Sequence, residues 1–418
     1  WLSTNEGIRL IHPEWELLPF PTPEAQIQAL GQLGDGTLVA GTNKGCYRLD
    51  VRNGWQLVDG SSTSFNVLCL TEDGAGGLWA GTFGEGVFSI NPKGRLLGIG
   101  GSSKASNYNT NVFSIEKAPS PNTWYLGTLG GIYVLERLKT KTNVRPFHHD
   151  HGPGQFYIFD LLHDKQGALW IATDGKGIFS YQNGEFKPLM AGADHRALII
   201  SALARGSDGA MWATSPQGQL FNTRNGQWKS YSIPFESSIA LLQPTPAGNV
   251  LLGSQNGLSF FIPAQNLVLS LDKMYDLPGL TFTANALYQK GNQLWLGANG
   301  LILKTNIAAL DKLHPPHVKL SAPFSLRQNQ PALMDPSFEA NDNDLRFSFH
   351  IPWYYDPGML YIRYKLHGLH SRWMETEKRD IFLQGLEPGN YEMEVQVSLH
   401  SDFRSFNSAR RSFHIRQP

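Results

Sequence analysis

Cysteine is almost missing from this chain: Cys46 and Cys69 are its only two among 418 residues. Two thiols cannot staple a chain of this length, so a disulfide framework and a cysteine-rich metal centre are both excluded. Each lies in an apolar strand-like run, GCYRLD or NVLCLTED, where a thiol reads as a small buried hydrophobe. Spacing alone leaves a bridge between them open. Net charge is missing too, since 35 basic residues balance 35 acidic ones and charged residues make up only 17%. No basic footprint can be drawn from such totals, and nucleic acid is not expected as a partner. There is no apolar run of roughly eighteen residues, so no segment reads as a transmembrane helix. The chain starts at Trp1 without the charged and apolar regions of a signal peptide, and reads as a processed or excised piece of something longer.

Glycine (43) and proline (25) are plentiful, and hydrophobic residues make up 41%. That mixture suits a folded protein of many short strands and tight turns. A repeat organises it. Its copies read WLSTNEGIRL from Trp1, LVAGTNKGCYRL from Leu38, LWAGTFGEGVFSI from Leu78 and WYLGTLGGIYVL from Trp124. They continue as LWIATDGKGIFSY from Leu169, MWATSPQGQLF from Met211, VLLGSQNGLSFF from Val250 and LWLGANGLILKT from Leu294. Anchored on the large residue of each copy, at positions 1, 39, 79, 125, 170, 212, 251 and 295, successive copies lie 38 to 46 residues apart, the range of a four-stranded propeller blade. An apolar strand precedes most copies and an aromatic outer strand follows, often behind an Asn-Gly hairpin tip as at Asn53, Asn183 and Asn225. The small residue in each copy makes room for a large one from the next blade. The Thr hydroxyl can satisfy a backbone group at the turn. Trp79, Trp170, Trp212 and Trp295 read as core between blades.

Eight motifs are present but only seven inner strands, starting near Gln26, Asn66, Asn111, Tyr157, Ile199, Ser238 and Asn285. If the strand at Trp15 joins the blade around Leu294, the ring closes with seven blades; eight blades with incomplete ends is the alternative. Residues 1–11 are then a surplus hairpin, read as the remnant of an upstream propeller, and residues 12–314 are the propeller. Pro315-Pro316 marks a boundary. Residues 315–418 hold short alternating strands such as LYIRYKL and YEMEVQV, expected to form an immunoglobulin- or fibronectin-III-like β-sandwich. The fold class is therefore all-β.

The segment from Leu345 to Val397 resembles the small three-tyrosine (Y_Y_Y) domain of periplasmic sensors. The resemblance is carried by Tyr361, Tyr364, Gly368, Leu369, Trp373, the Leu386–Pro388–Gly389 turn and Tyr391. The blades are similar to the regulator-propeller repeats of the same receptors, with the D–G–LW–GT–G pattern at Asp73 to Gly86 and at Asp164 to Gly177. Members often carry two propellers, whereas one complete ring is visible here. The resemblance implies the periplasmic sensor portion of a two-component-type receptor in the inner membrane. It further implies a propeller that detects a carbohydrate or other small polar ligand, and a sandwich that pairs two subunits as a homodimer. A transmembrane helix and a cytoplasmic output module are expected after Pro418.

Propeller sites usually lie where loops converge at one end of the central channel. The residues ahead of the inner strands are therefore the candidates: Gln26, Asn66, Tyr108, Asn111, Tyr157, Arg196 and Asn285. Amides, aromatic faces and an arginine suit a hydroxyl-rich ligand. His149 and His151, from the run His148-His149-Asp150-His151, join them as ligand contacts. Adjacent loop histidines rarely converge on one ion, so no metal and no cofactor are expected. No G-x-S-x-G elbow and no H-E-x-x-H are present, and catalysis is not expected. SDGAMW at Ser207 matches the Asp-box of sialidase propellers only in part and reads as a turn. A propeller lyase or hydrolase and a protein-interaction scaffold are the alternatives; a deep polar pocket favours a small ligand, an extended groove a protein.

Overall fold

The computed structural model describes residues 2–4, 7–9, 15–50, 52–99, 109–139, 141–147, 156–190, 198–224, 227–233, 238–272, 277, 279–312, 316–332, 336–353, 360–399, 401, 403 and 406–418. The chain divides into two units, residues 1–312 and 313–418.

The first unit is built from seven four-stranded antiparallel sheets, the blades. Their inner strands are Ile27–Gln32, Val67–Glu72, Val112–Lys117, Ile158–His163, Ala202–Arg205, Ile239–Pro244 and Leu287–Lys290. Blades 1 to 6 follow chain order. In blade 7 the outermost strand is Trp15–Pro19, from the start of the chain, paired with Leu301–Asn306. The ring thus closes by hydrogen bonds between its two ends, and among the described residues the count is seven. Leu2–Thr4 and Gly7–Arg9 pair with each other as a separate two-stranded sheet.

The repeat explains the closure. A Cβ on Gly41 would sit 2.5 Å from Val67, and one on Gly127 would sit 3.0 Å from Ile158. Both partners are fully buried first residues of the next blade's inner strand. Gly297 of blade 7 meets Ile27 of blade 1 in the same way, at 2.3 Å, so the last seam is built like the others. In blades 1 to 4 the motif Thr holds its hairpin: Thr42, Thr82, Thr128 and Thr173 donate to the carbonyls of Gly45, Gly86, Gly131 and Gly177 at 2.8–2.9 Å. Asp73 accepts the N–H groups of Ala75 and Gly77, and Asp164 those of Gln166 and Ala168, which shapes the preceding turn. Asp208 does the same for Ala210, so the Asp-box-like segment is a turn. At Asn183 and Gly184, φ values of 53° and 85° give the primed hairpin that an Asn-Gly pair favours. Trp79 and Trp124 of adjacent blades meet edge to face at 5.3 Å, with the Arg137 guanidinium 4.6 Å over Trp79. Trp170 and Trp212 are buried, while Trp295 is only partly so. Cys46 and Cys69 are free and buried, and burial pushes both thiols up to about 12.

The second unit is a β-sandwich. One sheet is made from Lys319–Leu320, Phe324–Ser325, Gln330–Pro331, Leu345–His350 and Asp380–Leu383. The other is made from Ser337–Phe338, Tyr361–His367, Met374–Glu375, Gly389–Ser398 and Asn407–Ile415. Phe347 of one sheet meets Phe413 of the other at 5.2 Å. Tyr391 stacks on Phe413 at 5.3 Å, and its hydroxyl donates to Glu387 O at 2.9 Å. This is the corner tyrosine of immunoglobulin-type sandwiches, built from the LEPGNY turn.

Candidate functional site

The axis of the propeller is organised by a repeated irregularity. Pairing with the second strand slips between Ile27 and Ala29, Val67 and Cys69, Val112 and Ser114, Ile158 and Asp160, and Ile239 and Leu241. Each slip leaves one extra residue out of the ladder, and with it backbone groups that need partners. Asn285, just ahead of the inner strand of blade 7, takes up two of them: its Nδ2 donates to Leu68 O at 3.0 Å and Phe113 O at 2.8 Å. Its backbone also bridges to Ala29 of blade 1. One side chain therefore ties blade 7 to blades 2 and 3 across the lumen. Both of its amide hydrogens are spent, leaving Oδ1 as its remaining polar group.

Next to this strut the lumen holds a cavity of about 330 Å³. Its walls come from six inner strands, through Leu70, Ile115, Leu162, Leu203, Leu242 and Leu287 among others. The polar groups on it are Ser114, Asp160, Asn285, Arg205 and Gln243. Asp160 knots three blades together. Its Oδ1 accepts from Ser114 Oγ at 3.0 Å and Leu161 N at 2.8 Å, and its Oδ2 accepts from Leu203 N at 2.8 Å. Burial lifts its carboxyl to about 6, against the opposing pull of those hydrogen bonds, and the nearby Glu116 charge adds to the rise. Beyond the cavity the strand ends form a linked polar rim. His163 Nδ1 lies 2.9 Å from Glu116, Arg205 donates to His163 O at 2.7 Å, Gln243 donates to Gln289 at 3.0 Å, and Lys290 donates to Gln32 at 2.8 Å.

At the opposite end, where the inner strands begin, lie four of the residues expected from sequence. The carbonyls of Gln26, Asn66 and Tyr157 accept the N–H groups of Asn43, Phe83 and Asp174, so the three hold equivalent places in blades 1, 2 and 4. Asn111 fills that place in blade 3, its amide held to Asn109 Oδ1 at 3.2 Å. The side-chain oxygens of Asn66 and Asn111 are buried without a partner among the described residues. Tyr157 is 46% exposed and has two exposed rings on the same end, Phe83 and Phe156. Asn285 stands apart from these as the strut. Tyr108, His149, His151 and Arg196 lie outside the described residues. No group of His, Cys, Asp or Glu among the described residues could hold a metal ion.

Sequence reasoning passed over Asp160, Ser114, Arg205 and Gln243. The signal for Asp160 was available: in register it stands where other blades carry Ala29, Cys69, Ser114 and Leu241. A carboxylate in that column of small or uncharged residues is the anomaly of the repeat.

Residues 151–175, which run through Asp160 and the Asp164 turn, match the family model of the two component regulator propeller. No curated protein sequence matches the chain. Among solved structures the chain is similar to the extracellular domain of the hybrid two component system BT3049 from B. thetaiotaomicron. That match has 19% identity and a TM-score of 0.64, over 97% of this chain and 58% of that one. It is similar also to the extracellular domain of the B. thetaiotaomicron system BT4673, at 17% identity and TM-score 0.57, over 96% of this chain and 60% of that one. The chain thus spans about 60% of the length of these two domains. The propeller alone is similar to virginiamycin B lyase from Staphylococcus aureus, at 12% identity and TM-score 0.56, over 70% of this chain and 98% of the lyase. A histidine-to-alanine variant of that lyase, solved with quinupristin, is catalytically inactive. Among the described residues, no helix of this chain is long and apolar enough to cross a membrane.

Proposed function

We propose that this chain is the ligand-sensing part of an extracytoplasmic receptor region, and that it signals without catalysing a reaction. One observation carries the reading: a propeller followed by a sandwich, in one chain, is similar over nearly its whole length to extracellular domains of two-component-type systems. The regulator-propeller match in blade 4 supports it. So does the likeness of Tyr361 to Tyr391 to the three-tyrosine domain of periplasmic sensors. The ligand is a carbohydrate or other small polar molecule, taken up where the inner strands begin. There the unpartnered oxygens of Asn66 and Asn111 offer acceptors, and the exposed rings of Tyr157, Phe156 and Phe83 offer faces for stacking. Two copies pair through the sandwich on the periplasmic side of the inner membrane. Ligand shifts their arrangement only by binding one arrangement more tightly than the other.

The lyase reading is weaker on chemical grounds. No histidine lines the lumen cavity among the described residues, and Asp160 spends its hydrogen-bonding capacity mainly on holding three blades. A thermal-shift screen against mono- and oligosaccharides, amino acids and short peptides, with product analysis of each hit, tests the proposal. A stabilising saccharide recovered intact is the expected result. A compound recovered cleaved overturns the sensor reading in favour of an enzyme. Stabilisation by peptides alone overturns it in favour of an interaction scaffold.

A further inference from the structure

The lumen cavity presents a chemical imbalance. Its polar end offers acceptors whose neighbouring donors are already spent. The hydroxyl of Ser114 donates to Asp160, both amide hydrogens of Asn285 go to backbone carbonyls, and the thiol of Cys69 faces Val112 O at 3.7 Å. What remains is the second lone pair of Asp160 Oδ2, which accepts only from Leu203 N, and the oxygen of Asn285. No ion pair involves Asp160 among the described residues, and the charge that bears on it is the like charge of Glu116. Asp160 is partly buried and lines the cavity, so the open lone pair of its carboxylate can accept from a cation placed there. The one cation on the cavity wall, Arg205, is directed to the carbonyls of His163 and Asp164 at the rim. On the rest of the wall Leu70, Leu162 and Leu287 are the partly exposed aliphatic side chains, while Ile115, Leu203 and Leu242 are buried between the blades.

We propose that this cavity binds a compact primary ammonium ion, with the cation against Asp160 and the rest of the molecule in the lumen space. An ammonium brings three donors and a positive charge, and both are what the polar end lacks. A space of about 330 Å³ accommodates a body of roughly ten heavy atoms, at about 30 Å³ for each water-sized group. A neutral alcohol of the same shape supplies one donor and no charge, and an anion meets only acceptors. The site is distinct from the face at which the inner strands begin. It stands whether or not the saccharide screen succeeds.

The test uses the whole chain with three probes of one shape: phenethylammonium, 2-phenylethanol and 3-phenylpropionate. Calorimetric titration and thermal unfolding are expected to show binding of the ammonium. The midpoint should rise by about 2–4 °C at tenfold excess over Kd, the alcohol should bind at least about tenfold more weakly, and the anion should leave the midpoint unchanged. Asp160→Asn should weaken the ammonium by tenfold or more. Should that variant fail to fold, Leu287→Phe fills the cavity while leaving Asp160 in place, and it should abolish binding. The proposal is overturned if phenethylammonium does not bind the wild-type chain, if the alcohol or the anion binds as well, or if binding survives Leu287→Phe.

Discussion

The two units of this chain solve the same problem, burying short strands, by opposite means. The propeller repeats one device, a motif glycine under the first apolar residue of the next blade's inner strand, at Gly41, Gly81 and Gly127, and it returns to its start at Gly297 and Ile27. The sandwich repeats nothing. It depends on single contacts, such as the Tyr391 hydroxyl on Glu387 O and the buried Glu394 between His367 at 2.8 Å and Arg410 at 3.1 Å. A repeat supplies its own reference, so a residue that departs from it stands out; a unique network offers no such contrast. Asp160 can be recognised against Ala29, Cys69 and Leu241, whereas nothing in the second unit marks Glu394 before its partners are seen.

The largest effect should come from breaking the repeated device where the ring closes. Gly297→Val places methyl groups where even a Cβ would lie 2.3 Å from Ile27. The seam must open or the backbone must shift, at an expected cost of about 3 kcal/mol or more. Gly98, in an outer strand with nothing within 4 Å of its would-be Cβ, supplies the contrast. Gly98→Ala should change stability by less than about 0.5 kcal/mol. Chemical denaturation of both variants measures the difference. Equal destabilisation would mean that the seams are not what holds the ring.

The next effect sharpens the comparison through pH. Asp160 has a folded carboxyl lifted from 3.8 to about 6, chiefly by burial. The folded state therefore binds this proton more tightly than the unfolded chain does. Its contribution favours the fold below about pH 4 and is lost as pH rises towards 6, amounting to roughly 2–3 kcal/mol. Glu394 runs the other way. Burial pushes it up, but the hydrogen bonds from His367, Gln396 and Arg410 outweigh this and hold it below its ordinary value of 4.5. Its stabilisation is present above about pH 4.5 and is lost as pH falls further. Hydrogen exchange, corrected for intrinsic rates and followed peptide by peptide, should show blades 3 to 5 loosening as pH rises from about 4 to 6. The sandwich should loosen only at lower pH. In Asp160→Asn the first trend should vanish and the second persist; parallel behaviour of the two units would refute the assignment.

Much of the architecture was legible because periodicity survives translation into strands. The spacing of the LWAGT-type motifs set the blades, and the surplus of motifs over inner strands pointed to Trp15–Pro19 as the closing strand of blade 7. The LEPGNY turn likewise announced a buried Tyr391. The site was less legible, because its chemistry arises from a backbone event that no composition records. The bulges at Leu68 and Phe113 free the carbonyls that make Asn285 a strut, and a bulge is visible only as a slip in pairing. Gln26, Asn66, Asn111 and Tyr157 could be placed together from topology, since each precedes an inner strand. Asp160 was passed over because FYIFDLL reads as an ordinary strand until its row is set beside the equivalent rows of the other blades.

The smallest expected effect probes the sandwich's dependence on single contacts. Tyr391→Phe keeps the ring stacked on Phe413 and removes only the hydroxyl that donates to Glu387 O at 2.9 Å. The loss of one such hydrogen bond should cost about 1 kcal/mol. The penalty should appear in unfolding of residues 313–418 and leave the propeller unchanged, because the contact lies wholly within the second unit. Hydrogen exchange resolves the two units, and in the Tyr391→Phe variant the strands Gly389–Ser398 and Asn407–Ile415 should lose protection first. An unchanged sandwich would show that the corner is redundant with the aromatic stack, and would bring the second unit closer to the propeller in having more than one support for each strand.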